Sequence, residues 1–290
     1  MLTHAVPSGT RTIVRIQPAT SAVVSWNTRA VNGHIDLAVY RADGALSTWL
    51  PYVQFGRSGR RSLGGGDGVA KIATDIVQAA SPIVAIEVRS DALLEAIYIS
   101  TRAHDSARIW MPSTASLEIA PLSQYVAERP TERGWCSPTS LAMLLAYWGS
   151  PVELADVVRG VYDQSYAGTG NWAFNMAYAS SLGFAAAVVH LDGLAHASHF
   201  IAAGIPLALS FAWGDGELPG APLDHSDGHV AVLRGFSSHG QPQLNDPAQP
   251  AIVTTYDRRA LERAWQAHGT VAYAIVPFER APELLRLTNG

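Results

Sequence analysis

The first third of the chain alternates between short apolar or aromatic runs and clusters of Gly, Asn, Asp and Ser. Four of these runs are rich in β-branched and aromatic residues and have the length of β-strands. The stretch 56–68 is instead basic and glycine-rich, and we expect a mobile loop there. Strands at this spacing over roughly 110 residues predict an all-β, sandwich-like domain. The predicted strands are Ala22–Trp26, His34–Arg41, Pro82–Arg89 and Leu93–Ser100.

Beyond this region the apolar residues follow a helical period. Between Leu141 and Trp148 they recur at i, i+3, i+4 and i+7, which predicts a helix with one buried face. Ser137 can cap this helix and Pro138 suits its first position, so we expect it to span Ser137–Trp148. Further helices are predicted at Asn171–Leu182, Ala195–Ala203 and Arg258–Ala267, and strands at Pro206–Phe211, His229–Phe236, Gln241–Asn245 and Val271–Val276.

The order of these elements indicates two domains. Short strands alone fill residues 1–115, whereas helices followed by strands fill residues 116–290. Helices that precede an antiparallel sheet are typical of an α+β layout, with the helices packed on the sheet. We therefore expect an all-β domain at 1–115 and an α+β domain at 116–290.

The composition narrows the classes of partner. The 290 residues carry a net charge of −4 and a pI near 6.2, so we expect no nucleic-acid partner. No apolar run is long enough to cross a bilayer, and the N-terminus lacks the pattern of a secretory signal. We therefore expect no membrane span, and a cytoplasmic location unless the sequence is truncated. The oligomeric state is left open.

Cys136 is the one cysteine of the chain, which excludes an internal disulfide. It stands in Gly134-Trp135-Cys136-Ser137-Pro138, off the apolar face and directly before the predicted helix. The free N–H groups and the positive dipole end of a helix stabilise an anion placed there. A thiolate at this position has a lowered pKa and is a candidate nucleophile.

A base for this nucleophile is predicted in a hairpin. His229 follows Gly228 and opens a strand, and the partner strand ends at Asp246. If the four residues 237–240 close the hairpin, Phe236 faces Gln241, and Asp246 lies diagonally across from His229 on the same face. A carboxylate in that position holds an imidazole in one tautomer. The alternative is a surface hairpin that ends in a capping aspartate.

The order of a cysteine at a helix start, a Gly-His pair that opens a strand, and Asn-Asp-Pro resembles a family. It is similar to the papain-like cysteine peptidases of the bacteriocin-processing type, numbered thirty-nine among the cysteine peptidases. It is most similar to the free-standing members that carry an N-terminal β-sandwich. The segments that match are Pro121–Tyr125, Trp135–Gly149, Gly170–Gly183, Gly204–Pro206, Gly228–Phe236 and Asn245–Ala248.

This resemblance implies a papain-like fold and a catalytic role for four residues. Cys136 would be the nucleophile, His229 the base and Asp246 its orienter, while Gln124 would donate its side-chain amide to the oxyanion. A peptide or another amide would be the substrate, with no cofactor, and the relatives suggest export. Two departures from the family are Ser137, where glycine is usual, and the long step from Gln124 to Cys136, which contains the insert Glu128–Arg133.

Other interpretations of these residues stay open. The chain could be a non-catalytic binding protein with a papain-like fold, or a transglutaminase or amidase that uses the same triad. A metal site is a weaker alternative, because the candidate ligands lie in a Gly- and Pro-rich loop without a second ligand group at helical spacing. Those candidate ligands are Asp224, His225, Asp227 and His229.

Overall fold

A computed structural model describes residues 2–102, 116–125, 134–249 and 253–289. The chain divides into two compact units. The first unit contains Met1–Arg102, Arg159–Val188 and Pro277–Gly290, and the second contains Ala103–Val158 and Val189–Val276. The division of folding domains at residue 115 stays a prediction, since packing does not show which segments fold alone.

The first unit is built on one hydrogen-bonded antiparallel sheet of nine strands. Seven strands follow the order β1-β9-β2-β8-β3-β4-β5, while β6 pairs with β7 and β7 with β8. Register shifts interrupt the pairing of the two longest strands, β2 and β8. The all-β prediction is confirmed, and a two-layered sandwich stays a prediction. The strands are β1 Leu2–Val6, β2 Arg11–Asn27, β3 Gly33–Arg41, β4 Leu50–Gly56, β5 Gly59–Ser62, β6 Gly65–Gly66, β7 Lys71–Ala73, β8 Ile76–Ser90 and β9 Leu94–Ser100.

The helices of the chain follow the sheet of the first unit in sequence. Most agree with the predicted helices within one or two residues, and Arg258–Ala267 agrees at both ends. The helices are α1 Cys136–Tyr147, α2 Leu154–Val161, α3 Trp172–Ser181, α4 Leu194–Ala202, α5 Arg258–Ala267 and α6 Ala281–Asn289, with a 3-10 turn at Phe278–Arg280.

Aromatic side chains form the centre of the core of the first unit. Trp26 is fully buried, with its ring stacked on Phe55 at 6.1 Å and perpendicular to Phe174 at 5.9 Å. Phe174 comes from α3, whose start is fixed because the Asn171 side chain accepts a hydrogen bond from the Phe174 N–H. The helix thus covers the apolar face of β2.

The second unit is built on an antiparallel sheet. Its strands lie in the order β15-β11-β12-β13-β14, with α1 packed on β12 and α5 packed on β11. Helices on an antiparallel sheet confirm the predicted α+β class. A further strand, β10, runs across the division between the units. The strands are β10 Phe184–His190, β11 Leu207–Trp213, β12 Ser226–Phe236, β13 Pro242–Asn245, β14 Val253–Thr255 and β15 Val271–Pro277.

Predictions of local structure are wrong for the segment 56–68 and for α1, which is buried on all sides over Ser137–Leu145 and not on one face alone. The segment 56–68 is not a loop, because β5 within it pairs with β4, with Arg60 opposite Phe55. The glycine-rich composition predicted a loop because it does not show that β4 provides the hydrogen bonds of this strand. Helix α1 begins one residue earlier than expected, so that Trp135, not Ser137, is its N-cap residue. Cys136 is consequently the first residue of the helix.

Candidate active site

The start of α1 places Cys136. Gly134 has a φ of +91°, a left-handed conformation that suits glycine, and it turns the chain into the helix. The Thr139 N–H donates to the Trp135 carbonyl at 3.0 Å, which closes the first turn. Cys136 is partly exposed, next to the free N–H groups of this turn. The nucleophile predicted from sequence therefore lies at the positive end of the helix.

Two serine hydroxyls fix α1 to the sheet. The Ser140 hydroxyl donates to the Val230 carbonyl at 3.0 Å, next to His229 on β12. The Ser137 hydroxyl lies 2.7 Å from the Tyr273 hydroxyl on β15, and both side chains are buried. Ser137 thus has a hydrogen-bond partner inside the fold, on β15.

His229 lies inside β12, which begins three residues earlier than predicted, at Ser226. Its ring is buried against two aromatic rings, Phe211 at 5.4 Å and Trp213 at 5.7 Å, both nearly perpendicular to it. The ring nitrogen Nε2 is 2.8 Å from the Asp246 carboxylate oxygen Oδ1. These contacts hold the imidazole in one orientation and leave its other nitrogen, Nδ1, for a second partner.

A β-bulge at Arg234 determines how the hairpin brings Asp246 to His229. The predicted register is wrong near the turn, where Phe236 pairs with Pro242 and not with Gln241. One extra residue in β12 then shifts the register, and Val232 pairs with Asn245. Asp246, the next residue, therefore reaches the position that the sequence predicted for it.

Asp246 has further partners that the sequence reasoning missed. Its carboxylate is fully buried, and Oδ2 accepts a hydrogen bond of 2.6 Å from the Tyr256 hydroxyl. Oδ1 also accepts from the Ala248 N–H at 2.9 Å. No local pattern marks Tyr256, because β14 brings it next to the site from ten residues further along the chain. Three donors therefore hold the carboxylate in place.

The electrostatics of the three groups are coupled. Desolvation raises the pKa of the Cys136 thiol. A hydrogen bond with His229 and the charge of that ring lower the pKa by a larger amount, so that the net pKa is lowered. Burial lowers the pKa of His229, whereas the charge and hydrogen bond of Asp246 dominate and raise it to about 10. Burial likewise opposes ionisation of Asp246, and His229 lowers its pKa overall. The combination lowers the pH at which the Cys136 thiolate forms and favours the protonated form of His229 beside it.

Gln124 lies in a segment that runs along this sheet. The Leu117 N–H donates to the carbonyl of the bulged residue Arg234 at 2.8 Å, and the Asn245 side chain donates to the Ile119 carbonyl at 3.0 Å. The Gln124 N–H donates to the Pro247 carbonyl at 3.0 Å, one residue past Asp246. Its side chain is buried, and within the described ranges Oε1 has no hydrogen-bond partner. The insert Glu128–Arg133 lies outside the described residues.

Two of the residues considered as metal ligands have other partners. The His225 imidazole is exposed and lies 3.1 Å from the Asp215 carboxylate, while His229 is engaged by Asp246. In the part of the chain that the structure describes, no three His, Cys, Asp or Glu side chains are grouped as metal ligands would be.

Each described helix is too short or too polar to cross a bilayer.

Comparisons with known proteins give the family. Residues 116–273, more than half of the chain, match the Peptidase C39-like family. The chain belongs to this family. All four candidate residues of this C39-like family member lie within the matched range. No curated protein matches the chain.

Solved structures with a similar fold include two peptidase domains. One is a double glycine motif protease from the AMS/PCAT transporter in complex with the leader peptide, with 18% identity and a TM-score of 0.40 over 56% of this chain and 94% of that chain. The other is the peptidase domain of Streptococcus ComA, a bifunctional ABC transporter of a quorum-sensing pathway. It has 17% identity and a TM-score of 0.40 over 56% of this chain and 98% of that chain.

Proposed function

We propose that this member of the C39-like family is an active cysteine peptidase that hydrolyses a peptide or related amide bond through Cys136, His229 and Asp246. The observation that carries the proposal is the 2.8 Å contact between His229 Nε2 and Asp246 Oδ1. It leaves Nδ1 as the nitrogen for the Cys136 thiol, whose pKa a hydrogen bond with His229 lowers. In this proposal the nucleophile, the base and the orienter form one chain of hydrogen bonds.

Acylation is the first half of the proposed reaction. The Cys136 thiolate attacks the carbonyl carbon of the scissile bond and forms a tetrahedral oxyanion. The His229 imidazolium then donates its proton to the departing amine, the C–N bond breaks, and a thioester on Cys136 remains. In the second half, His229 takes a proton from water, the hydroxide displaces the thiolate, and a carboxylic acid leaves. Neither half requires a cofactor.

Two donors are proposed for the oxyanion. The Cys136 backbone N–H is not used within the helix, because it belongs to the first turn. The Gln124 side-chain amide would be the second donor, supported by the buried position of this residue beside the Asp246 turn. Each such donor typically contributes about 3–4 kcal/mol to lowering the barrier. In this proposal residues 116–290 form the catalytic domain and residues 1–115 an accessory domain.

The test is hydrolysis of a peptide panel by the full chain, with and without added amines. The wild type should release new amino termini, and Cys136→Ala should lose at least about 10⁴-fold in kcat/KM. Cys136→Ser keeps the shape and hydrogen bonding of the side chain and serves as the matched control for folding. Transfer to amines without hydrolysis would indicate a transglutaminase. Cleavage by Cys136→Ala equal to that of the wild type would refute the proposal.

A further inference from the structure

A small cavity in the first unit combines two buried N–H donors. The cavity has a volume of about 40 Å³ and lies where β2, β4 and β5 meet α3. Trp26 and Arg60 both line it. Within the described ranges, Trp26 Nε1 and Arg60 Nε are buried and have no hydrogen-bond acceptor. Buried N–H groups without an acceptor are rare and costly, so two at one cavity indicate a missing partner.

The charge of Arg60 defines what that partner must be. Burial lowers the pKa of this guanidinium to about 10, so it is still protonated at neutral pH. Its charge lies 5.9 Å from the centre of the Tyr178 ring, and no carboxylate among the described residues pairs with it. Arg60 is partly exposed as a residue, but its Nε is buried, and desolvating part of a guanidinium without a paired anion is costly. A water molecule would satisfy the two N–H groups but would not balance the charge.

The backbone around Arg60 is rigid, so the donors are held in place. Arg60 pairs with Phe55 in the sheet, and its carbonyl accepts a hydrogen bond of 3.0 Å from the Gln164 N–H. The neighbouring Ser62 N–H donates to the Asp163 carboxylate at 3.0 Å. Trp26 is fixed by the aromatic core described above. The Trp26 ring and the backbone from which Arg60 extends are therefore positioned before a ligand binds.

We propose that this cavity binds a carboxylate group, with the Arg60 guanidinium as counterion and the Trp26 and Arg60 N–H groups as hydrogen-bond donors. The remaining wall suits the apolar carbon that carries such a group, since it includes Phe55, Ala177 and Val31. Val31 is 58% exposed, so the cavity opens to solvent on that side. The carboxylate could belong to a small free acid or to the end of a longer ligand, and its chemistry is the same in both cases.

The experiment follows the indole N–H resonance of Trp26 by ¹⁵N NMR during titration with sodium acetate. The buffer contains neither chloride nor other carboxylates, and Trp26→Phe assigns the resonance among the eight tryptophans. The wild type should show a saturable shift. Arg60→Gln should weaken binding about tenfold or more, because a charge-assisted pair is lost. Arg61→Gln removes the exposed neighbouring arginine and should bind like the wild type.

Further arms identify the source of the carboxylate. N-acetyl-glycylglycine that binds more tightly than acetate would assign the cavity to a chain end, and equal or weaker binding would assign it to a free acid. The corresponding C-terminal amide should not bind. Should Arg60→Gln fail to fold, Arg60→Lys keeps the charge without the Nε–H donor and should bind more weakly than the wild type. The proposal is overturned if the wild type shows no saturable shift, or if Arg60→Gln or a folded Arg60→Lys binds as the wild type does.

Discussion

Buried carboxylates of the two units have pKa values shifted in opposite directions. In the second unit, the Asp246 carboxylate is buried beside His229, and the pKa of Asp246 is lowered. In the first unit, the Asp75 carboxylate is also buried, but burial raises its pKa to about 6, and the nearby Asp163 acts in the same direction. Arg60, in that same unit, is a partly buried cation whose pKa is lowered to about 10 by desolvation. Burial alone therefore does not decide the ionisation state; the paired charge does.

This difference separates two uses of a buried charge. The pair of His229 and Asp246 is complete without a ligand, which is what the proposed stabilisation of a Cys136 thiolate requires. Asp75 and Arg60 each lack an oppositely charged partner, and this lowers the stability of the folded state. Binding of a proton by Asp75, or of an anion by Arg60, would remove the unpaired charge. The predictions below test each side of this contrast.

The largest effect is expected for His229→Ala. Without the imidazole, the Cys136 thiol keeps the burial that raises its pKa and loses the hydrogen bond and charge that lower it. Activity should fall by about 10⁵-fold, and the pKa for alkylation by iodoacetamide should rise from below the ordinary thiol value to about 8.5 or above. The pH dependence of alkylation measures this directly. An unchanged alkylation pKa would show that His229 does not act on the thiol.

Asp246→Asn should have the next largest effect. The amide keeps the shape of the side chain but removes the charge that holds the pKa of His229 near 10. Because a thiolate–imidazolium pair is lost as pH rises through the pKa of His229, the alkaline limb of the pH–rate profile should move to lower pH. The rate at neutral pH should fall by about 10³-fold. A profile with an unmoved alkaline limb would contradict the coupling of these two groups.

Asp75→Asn tests the first unit, where burial raises the pKa of a carboxylate. The folded-state pKa of Asp75, about 6, lies above its ordinary value of 3.8. The folded protein therefore binds more protons, and stability falls as pH rises between these values. Asparagine carries no charge and can still accept from the Trp172 N–H, as Asp75 does at 2.6 Å. At pH 7 the variant should gain up to about 3 kcal/mol, measured by hydrogen exchange of α3 amides.

The control for this prediction is Asp67→Asn. Asp67 is exposed, and although its slight desolvation opposes ionisation, hydrogen bonds from the Thr48, Ala70 and Val69 N–H groups lower its pKa. Replacing it should therefore destabilise the unit slightly at neutral pH, and the difference should vanish in acid. A gain at pH 7 for both variants would mean that charge removal in general, and not the burial of Asp75, explains the result.

Tyr256→Phe should have the smallest effect. It removes one of the donors to Asp246 and leaves Oδ2 buried without that hydrogen bond. We expect a loss of about 1–2 kcal/mol in the free energy of unfolding and less than about tenfold in activity. Tyr147→Phe is the matched control, because its hydroxyl donates to the Gly204 carbonyl at 2.9 Å. It should affect stability alone, so an equal activity loss in both variants would contradict a role for Tyr256 at the site.

Local patterns in the sequence predicted much of the fold. The positions of α1 and α5 were predictable because apolar spacing and capping are local signals. The burial of α1 on all sides was not predictable, because it depends on tertiary packing. Strand β5 was missed because it is stabilised by pairing with β4, where Phe55 lies opposite Arg60. A glycine-rich composition does not reveal a pairing of this kind. β10 was missed as well, because a continuously buried run such as Phe184–His190 has no alternating period.

The candidate site shows the same limit. Cys136, His229 and Asp246 could be proposed together, because a helix start and a hairpin are local geometry. Tyr256 and Trp213 could not be found in this way, since tertiary pairing brings them to the imidazole and its carboxylate. Asp75 and Arg60 also gave no signal, because their burial depends on the packing of α3.

The bulge at Arg234 gives the hairpin tolerance to changes in length. The strand from Leu233 back to His229 keeps one continuous register with β11, whereas the turn lies on the far side of the bulge. A residue gained or lost at the turn can therefore be accommodated at Arg234 without inverting the faces at the end that carries His229. The imidazole and the carboxylate then keep their spacing while the tip of the hairpin changes.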